Sequence, residues 1–534
     1  MPERSTDIRP RRITILDTTL RDGDQAAGFA FSPDQKLELA RSLAEAGVDI
    51  IETGFPLSNR SDFNVCRQAA EEFPGRTAVM CRSRPEDIRE SAKVFAGGIP
   101  GLLHLSLPVS RIHIHAKLGK TEAGIITMVR EAVSYAKGFV PRVELGAEDA
   151  SRADKDFLQE YCEAALDAGA EIINIADTLG RFAPGEIRDL ISFLFRRIPR
   201  LNSSNSILSV HCHNDLGLAC ANTLAAIEAG CGQAEVSVLG LGERAGNAAL
   251  EELAANLDAR PDLYHAVTGI LPEKLGPLIR LSAEAAKTGL SPMKPLSGWN
   301  TRAHGSGIHQ QGLLKNAETY SIPEMERWNT IPERIVLSRH SGQAGAALFA
   351  RRYCGLELDD AALSRICAHL KGEAEPPGET FSATLGITEF LCLLSDMKLL
   401  PKNMPRPWIC RSFSETFTKD DSKHNVIIKA AVVPYGIGKP VRKLAGEGYG
   451  GAIAVLKAVN KIKAVSLRLS RFEINGYGNQ LRLYAEITVS DDTGKEIPYA
   501  IERTGLTAGL PLFQCCMDAV NAFIVSRSRD QAIT

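Results

Sequence analysis

From Arg11 to about Arg260 the chain alternates between two hydrophobic patterns. Short β-branched runs end in polar residues, and stretches with apolar residues at helical spacing follow them. The runs at 13–17, 50–53, 78–81, 102–107, 142–145, 172–176, 208–211 and 234–239 predict strands, and 33–46, 63–73, 85–95 and 121–137 predict intervening helices. Three helical stretches end in Ala-Gly before a strand, at Ala46-Gly47, Ala168-Gly169 and Ala229-Gly230, where glycine suits a left-handed cap. Eight such units in roughly 250 residues have the size and rhythm of an α/β fold of the (β/α)8 TIM barrel type. A doubly wound open sheet is the competing pattern. The first strand, however, runs into the charged loop Thr18-Thr19-Leu20-Arg21-Asp22-Gly23-Asp24-Gln25, with no G-x-G-x-x-G.

Beyond Pro261 the rhythm changes, and Pro and Gly break up helical stretches at 278–287 and 361–371. The segment Gly372-Glu373-Ala374-Glu375-Pro376-Pro377-Gly378-Glu379 reads as a loop or linker. Strand-like runs at 425–433 and 482–489, with helix patterns at 451–461 and 513–524, predict a separate α+β domain. The expected organisation is a tail (1–10), a catalytic barrel (11–285), helical linker subdomains (286–404) and a C-terminal regulatory and dimerisation domain (405–534).

At 534 residues the chain exceeds one ordinary domain. Its 62 Lys+Arg against 64 Asp+Glu give a net charge of -2, which argues against a general nucleic-acid or membrane-surface binder. No apolar run approaches the roughly 20 residues of a membrane span, and the polar N-terminus has no signal-peptide core. The 12 Cys are scattered without a framework, which predicts a cytoplasmic protein with reduced, buried thiols.

Active-site residues of a barrel lie at the C-terminal ends of its strands. Those ends here carry Arg21-Asp22, Glu148-Asp149, Asp177-Thr178 and His211-Cys212-His213-Asn214-Asp215, and the last strand leads into Gly242-Glu243-Arg244-Ala245-Gly246-Asn247. Strand residues two apart share a face, so His211 and His213 can reach one point in the barrel mouth. Two neutral imidazoles and a carboxylate, most naturally Asp22, suit a divalent cation used as a Lewis acid. Two histidines that cap a strand by hydrogen bonds are the alternative. Arg21 could stabilise a developing alkoxide or serve as an ordinary salt-bridge partner. Glu148 could be a general base or a solvated carboxylate. The Gly-rich loop lacks the Lys-Ser/Thr ending of a phosphate-binding loop. His309 lies in the Gly-flanked stretch Ser306-Gly307-Ile308-His309-Gln310-Gln311-Gly312, which reads as a loop outside the barrel.

Asp17 to Gln25, His211-Cys212-His213-Asn214-Asp215-Leu216-Gly217-Leu218, Gly240 to Asn247 and Ser306 to Gly312 resemble, in order, the motif series of the 2-isopropylmalate synthase/homocitrate synthase family of metallolyase-type barrels. The final domain is similar, more weakly, to the regulatory domain of 2-isopropylmalate and citramalate synthases. The resemblance implies a Claisen-type condensation of acetyl-CoA with a 2-oxo acid by a homodimer that needs a divalent metal (Mn²⁺, Mg²⁺ or Zn²⁺). It matches Asp22, His211, His213 and Asn247 to metal ligands, and Arg21 to the contact with the keto oxygen. Thr178 matches a substrate-carboxylate contact and His113 a position near the substrate pocket. Glu148 and His309 match the acid/base machinery, with His309 reaching a partner's barrel. 3-Methyl-2-oxobutanoate is the expected 2-oxo acid. Homocitrate, citramalate and benzylmalate-type synthases are the alternatives, and a 3-hydroxy-3-methylglutaryl-CoA lyase-like enzyme is the rival of another class.

The chain departs from the family pattern in places. Asp24 stands where Glu is common, and Leu239 where 2-isopropylmalate synthases usually carry Asn. Leu105 to Ser110 and Glu148 to Asp154 resemble the homocitrate synthases of nitrogen fixation. Gly446-Glu447-Gly448-Tyr449-Gly450-Gly451-Ala452 replaces the family's effector motif, so leucine is not expected to be the regulator. Glu144 occupies the position of an Arg that contacts the distal carboxylate in the homocitrate synthases of lysine biosynthesis, and its charge would repel that group if it faced the pocket. Gly146 and Ala176 leave room for an apolar side chain, while Arg82 is a cation that a 2-oxoglutarate enzyme could use instead.

Overall fold

The computed structural model describes residues 10–203, 205–372, 384–401, 404–420, 423–434, 441–462, 465–477, 480–505 and 507–533. The expected N-terminal tail, except Pro10, and the expected linker segment after Gly372 lie outside the described residues. The chain forms two compact units, one comprising residues 1–288, 295–297 and 324–330, the other 289–294, 298–323 and 331–534.

The first unit is a closed barrel of eight parallel strands in sequence order. They are β1 (Thr14–Asp17), β2 (Ile50–Glu52), β3 (Thr77–Arg82), β4 (Leu102–Pro108), β5 (Arg142–Glu148), β6 (Ile172–Asp177), β7 (Ile207–Cys212) and β8 (Gln233–Val236). β8 pairs back onto β1, so no edge remains. Every run read as a strand is one, with ends shifted by a few residues. Helices cover the outside, starting with Pro33–Glu45, whose Ser32 and Gln35 form a reciprocal capping box. The Ala-Gly helix ends behave as the pattern predicts. Gly47 has φ +90°, and a Cβ there would lie 2.0 Å from the Gly269 carbonyl oxygen.

The period of two sorts the barrel interior into layers. Leu16, Ile50, Ala78, Leu102 and Ile172 form an apolar cluster, with Ile207 packed against it. Two residues further along the same strand faces stand Glu52, His104, Asn174 and Ser209, all buried. The layer above the apolar cluster is therefore polar, and the chemistry at the mouth rests on it.

The second unit holds two three-stranded antiparallel sheets. One comprises β9 (Trp408–Asp420), β10 (Lys423–Pro434) and β11 (Arg442–Gly448), and the other β12 (Ser466–Tyr477), β13 (Gln480–Ser490) and β14 (Glu496–Gly505). Helices Gly451–Val459 and Gly509–Ile533 follow the two sheets. The core joins Ile428 and Val432 to Val455, Ile487, Phe513 and Phe523. Residues Gly509–Arg527 are long and apolar enough to span a membrane, which the expectation of no such run overlooked, but 78% of that stretch is buried inside the fold. All twelve cysteines are free.

Leu16 is fully buried in the apolar barrel layer. Leu16→Ala should therefore cost about 2–5 kcal/mol. Urea unfolding followed by circular dichroism checks this, and an unchanged barrel transition would contradict the layer assignment.

Candidate active site

After β1 the chain makes a single π-turn, Thr19–Gly23. The Asp17 carboxylate accepts from Thr19 N–H at 2.9 Å, and the Thr18 carbonyl accepts from the N–H groups of Arg21 and Asp22 at 3.0 and 2.8 Å. This turn buries both Arg21 and Asp22. Arg21 Nε donates to Glu52 Oε2 at 2.6 Å, while Glu52 Oε1 lies 2.8 Å from His104 Nδ1. Burial opposes ionisation of Glu52, but Arg21 and His104 outweigh it and hold its carboxyl down at about 2. Burial likewise works against charge on His104, yet Glu235, Glu144 and Glu52 push the ring up to about 10.

The His211 and His213 rings stand nearly perpendicular, at 88°, with their Nε2 atoms 3.2 Å apart. The same two atoms lie 3.7 and 3.9 Å from Asp22 Oδ2. Burial pushes both imidazoles down to about 4, so they are neutral at pH 7. Burial would raise Asp22, but Arg21 and the two rings hold it at about 2. His211 Nδ1 sits 3.2 Å from Glu235 Oε2, while its Nε2 faces His213 and Asp22. Two neutral imidazole nitrogens and one ionised carboxylate oxygen, all within 4.8 Å of one another, fit a divalent cation. Asn247 Nδ2 donates to Asp22 Oδ2 at 2.8 Å, and its buried Oδ1 has no hydrogen-bond partner. The Gly-rich loop makes this possible, because a Cβ on Gly242 would fall 2.7 Å from the Asn247 amide. Those glycines serve a close approach, not a phosphate cradle. His104, Glu144 and Glu235 are also spaced like ligands, but a protonated His104 has no lone pair to offer.

On the opposite wall, a second π-turn, His113–Lys117, brings Lys117 Nζ to 2.6 Å and His113 Nδ1 to 3.2 Å from Glu148 Oε1. Both contacts use one oxygen, which leaves Glu148 Oε2 as the acceptor. Thr178 Oγ1 accepts the Asp149 N–H at 2.9 Å, so its own hydrogen is available to donate. A cavity of about 600 Å³ lies between these groups, lined by Arg21, Glu148, Thr178, His211 and His213. Phe55, Met80, Leu107, Leu118, Met128 and Ala176 form its apolar wall.

Arg21, Asp22, Glu148, Thr178, His211, His213 and Asn247 thus gather at one barrel mouth. His113 contacts Glu148 and does not line the cavity. His309 belongs to the second unit. It lies on a helix, Gly307–Lys315, rather than in a loop, with its ring stacked on Tyr320 at 3.9 Å. Gly312, which suggested a loop, is where Tyr320 packs, since a Cβ there would come within 2.5 Å of that ring. Glu144 does not face the cavity either. It is fully buried, held by Gln233 Nε2 at 3.0 Å, and burial raises its carboxyl to about 8. Direct repulsion of a substrate carboxylate by Glu144 is thereby removed. Arg82 does line the cavity, but Asp87 holds it at 2.5 Å. The sequence reading missed Glu52, His104, Glu235, Lys117 and Tyr320. For Glu52, His104 and Glu235 the available signal was an ionisable residue inside an apolar strand run; Lys117 and Tyr320 lie outside the strand runs.

Residues 12–274 match the HMGL-like family, and residues 296–376 match the homocitrate synthase post-HMGL domain-like family. The 2-isopropylmalate synthase of Pyrococcus furiosus is 42% identical over 68% of this chain and 73% of its own length. Those of Syntrophus aciditrophicus and Nitratidesulfovibrio vulgaris are 35% and 36% identical over 90% of this chain, covering 90% and 91% of their own lengths. The barrel is that of an HMGL-like enzyme. Within that class, the chain belongs to the 2-isopropylmalate synthase family.

His211→Ala should weaken divalent-metal binding at least about 100-fold while the barrel stays folded. Calorimetric titration of metal into the chelator-treated protein checks this, and wild-type affinity in the variant would move the site elsewhere. Because both rings are neutral at pH 7, affinity should stay level down to about pH 5 and fall as pH drops through about 4.

Proposed function

We propose that this chain joins acetyl-CoA to an apolar 2-oxo acid, 3-methyl-2-oxobutanoate, and releases CoA and a 2-alkylmalate. The observation that carries the reading is the convergence of Asp22, His211 and His213 beside a cavity with an apolar wall. Family membership supports the reaction class. The reading includes a cytoplasmic homodimer.

Asp22, His211, His213 and Asn247 would hold the divalent ion, which supplies Lewis-acid polarisation of the 2-oxo acid's oxygens when bound. Arg21, its Nε committed to Glu52, presents its remaining N–H groups to the keto oxygen and stabilises the alkoxide. Thr178 donates its hydroxyl to the substrate carboxylate. Glu148 takes a proton from the acetyl methyl group, and the resulting carbanion equivalent attacks the keto carbon. The alkoxide then takes up a proton. Water attacks the thioester carbonyl, the C–S bond breaks, and CoA leaves as its thiol. The family resemblance assigns His309 to this acid/base work, and Tyr320 braces its ring.

The side-chain end of the cavity favours an apolar group. Lys117 is engaged by Glu148 and Arg82 gives its Nε to Asp87, so a 2-oxoglutarate reading would use Arg84 or the remaining N–H groups of Arg82. A carboxylate buried against the apolar wall without a cation is disfavoured by several kcal/mol. In one CoA-thiol assay, kcat/KM for 3-methyl-2-oxobutanoate should exceed that for 2-oxoglutarate by at least about tenfold. The reverse order would make homocitrate synthase the better reading, and a preference for phenylpyruvate would make it a benzylmalate-type synthase.

His309→Ala should lower kcat by roughly 10²- to 10⁴-fold with little change in melting temperature. A normal turnover number in a destabilised variant would assign the ring to packing against Tyr320 instead.

A further inference from the structure

Three strand-end loops meet beside Thr178, and one side chain joins them. Arg244, in the loop after β8, donates from Nε to Asp215 Oδ1 and from NH2 to Asp215 Oδ2, both at 2.8 Å. The same NH2 donates to the Thr178 carbonyl at 2.7 Å. Asp215 belongs to the loop after β7 and Thr178 to the loop after β6. A guanidinium is planar and presents its donors in a fixed fork, so it can grip a carboxylate and a carbonyl at once, which an ammonium cannot do with the same geometry.

The backbone at this point is unusual. Arg244 has φ 57°, a left-handed conformation that residues with a Cβ rarely adopt. Leu239 in the same loop and Asp149 after β5 also have positive φ, at 61° and 62°. The loops are tightly set against each other, since a Cβ on Gly180 would fall 2.7 Å from both Asp215 N and the His213 carbonyl oxygen. Asn214 N–H reaches the Gly246 carbonyl at 2.8 Å, a second tie between the β7 and β8 loops.

We infer that Arg244 is a positioning residue for the 2-oxo acid carboxylate, acting through Thr178. The inference rests on the proposed function, in which the Thr178 hydroxyl binds that carboxylate. Thr178 is pinned from two sides. The Asp149 N–H holds its hydroxyl oxygen, and Arg244 holds its carbonyl. Arg244 does not line the cavity, and its contact with the site is through Thr178. Without it, the β6 loop loses one of these two anchors, and the hydroxyl no longer waits in one place for the carboxylate. An ordinary surface salt bridge would have no such selective effect.

The test uses the full-length, metal-loaded protein and compares wild type with Arg244→Ala, Arg244→Lys, Asp215→Asn and the Arg244→Ala/Asp215→Asn double variant. KM is measured separately for 3-methyl-2-oxobutanoate and for acetyl-CoA, with kcat and melting temperature alongside. Arg244→Ala should raise KM for the 2-oxo acid about 10- to 100-fold. KM for acetyl-CoA should stay within about twofold and the melting temperature within a few degrees. Arg244→Lys keeps the charge but not the fork, and should resemble the Ala variant more than wild type. The double variant should be no worse than Arg244→Ala, because the two residues act as one clamp. An unchanged 2-oxo acid KM, or a parallel rise of both KM values with a lowered melting temperature, would overturn the inference. If Arg244→Ala does not fold, the Lys and Asp215→Asn variants decide it by the same KM split. A wild-type chain that releases no CoA with any 2-oxo acid would instead overturn the proposed function, and this inference with it.

Discussion

Glu52 is the residue on which the barrel mouth depends. It has no solvent contact, and its two carboxylate oxygens bind Arg21 on one side and His104 on the other. A charge so buried is tolerated only when paired, and removing one partner of such a pair typically costs about 3–5 kcal/mol. The pairing also has a geometric consequence. Arg21 and Asp22 are neighbours on one π-turn, so fixing the guanidinium over β2 fixes the carboxylate beside β7. The candidate cation site thus inherits its position from an ion pair to the neighbouring strand.

The same network sets the charge state of the proposed ligands. Glu235 faces both His104 and His211, at 3.9 and 3.2 Å. It therefore stands between the buried Glu52–His104 pair and the neutral His211 ring. Arg21 holds Asp22 ionised while burial keeps His211 and His213 neutral. A carboxylate anion and two neutral imidazoles at neutral pH are what a divalent cation requires, and here burial and Arg21 provide them.

Much of the fold was legible in the residue pattern. The eight strands appear because a buried parallel strand is a short apolar run between helical stretches, and that signal is local. Asp22, His211 and His213 were legible for the same reason, since a spacing of two on a strand end and a carboxylate after the first strand are local facts. Glu52, His104 and Glu235 were not. Each is the one ionisable residue in an otherwise largely apolar run, and the partners of Glu52 lie 31 and 52 positions away. Gly307 and Gly312 suggested a loop around His309, because sequence alone does not show that Gly312 makes room for a stacked tyrosine. Leu239 looked like a departure in polarity. The structure shows a conformational one instead, a left-handed residue where Asn would be at ease, held by its N–H to Glu251 Oε2 at 3.0 Å.

Anomalous diffraction from crystals grown with manganese and a 2-oxo acid tests the central claim most directly. The account predicts one anomalous peak bounded by His211 Nε2, His213 Nε2 and the Asp22 carboxylate, with the oxo acid's oxygens beside it and Arg21 over the keto oxygen. A peak among His104, Glu144 and Glu235, or none at the barrel mouth, would contradict it.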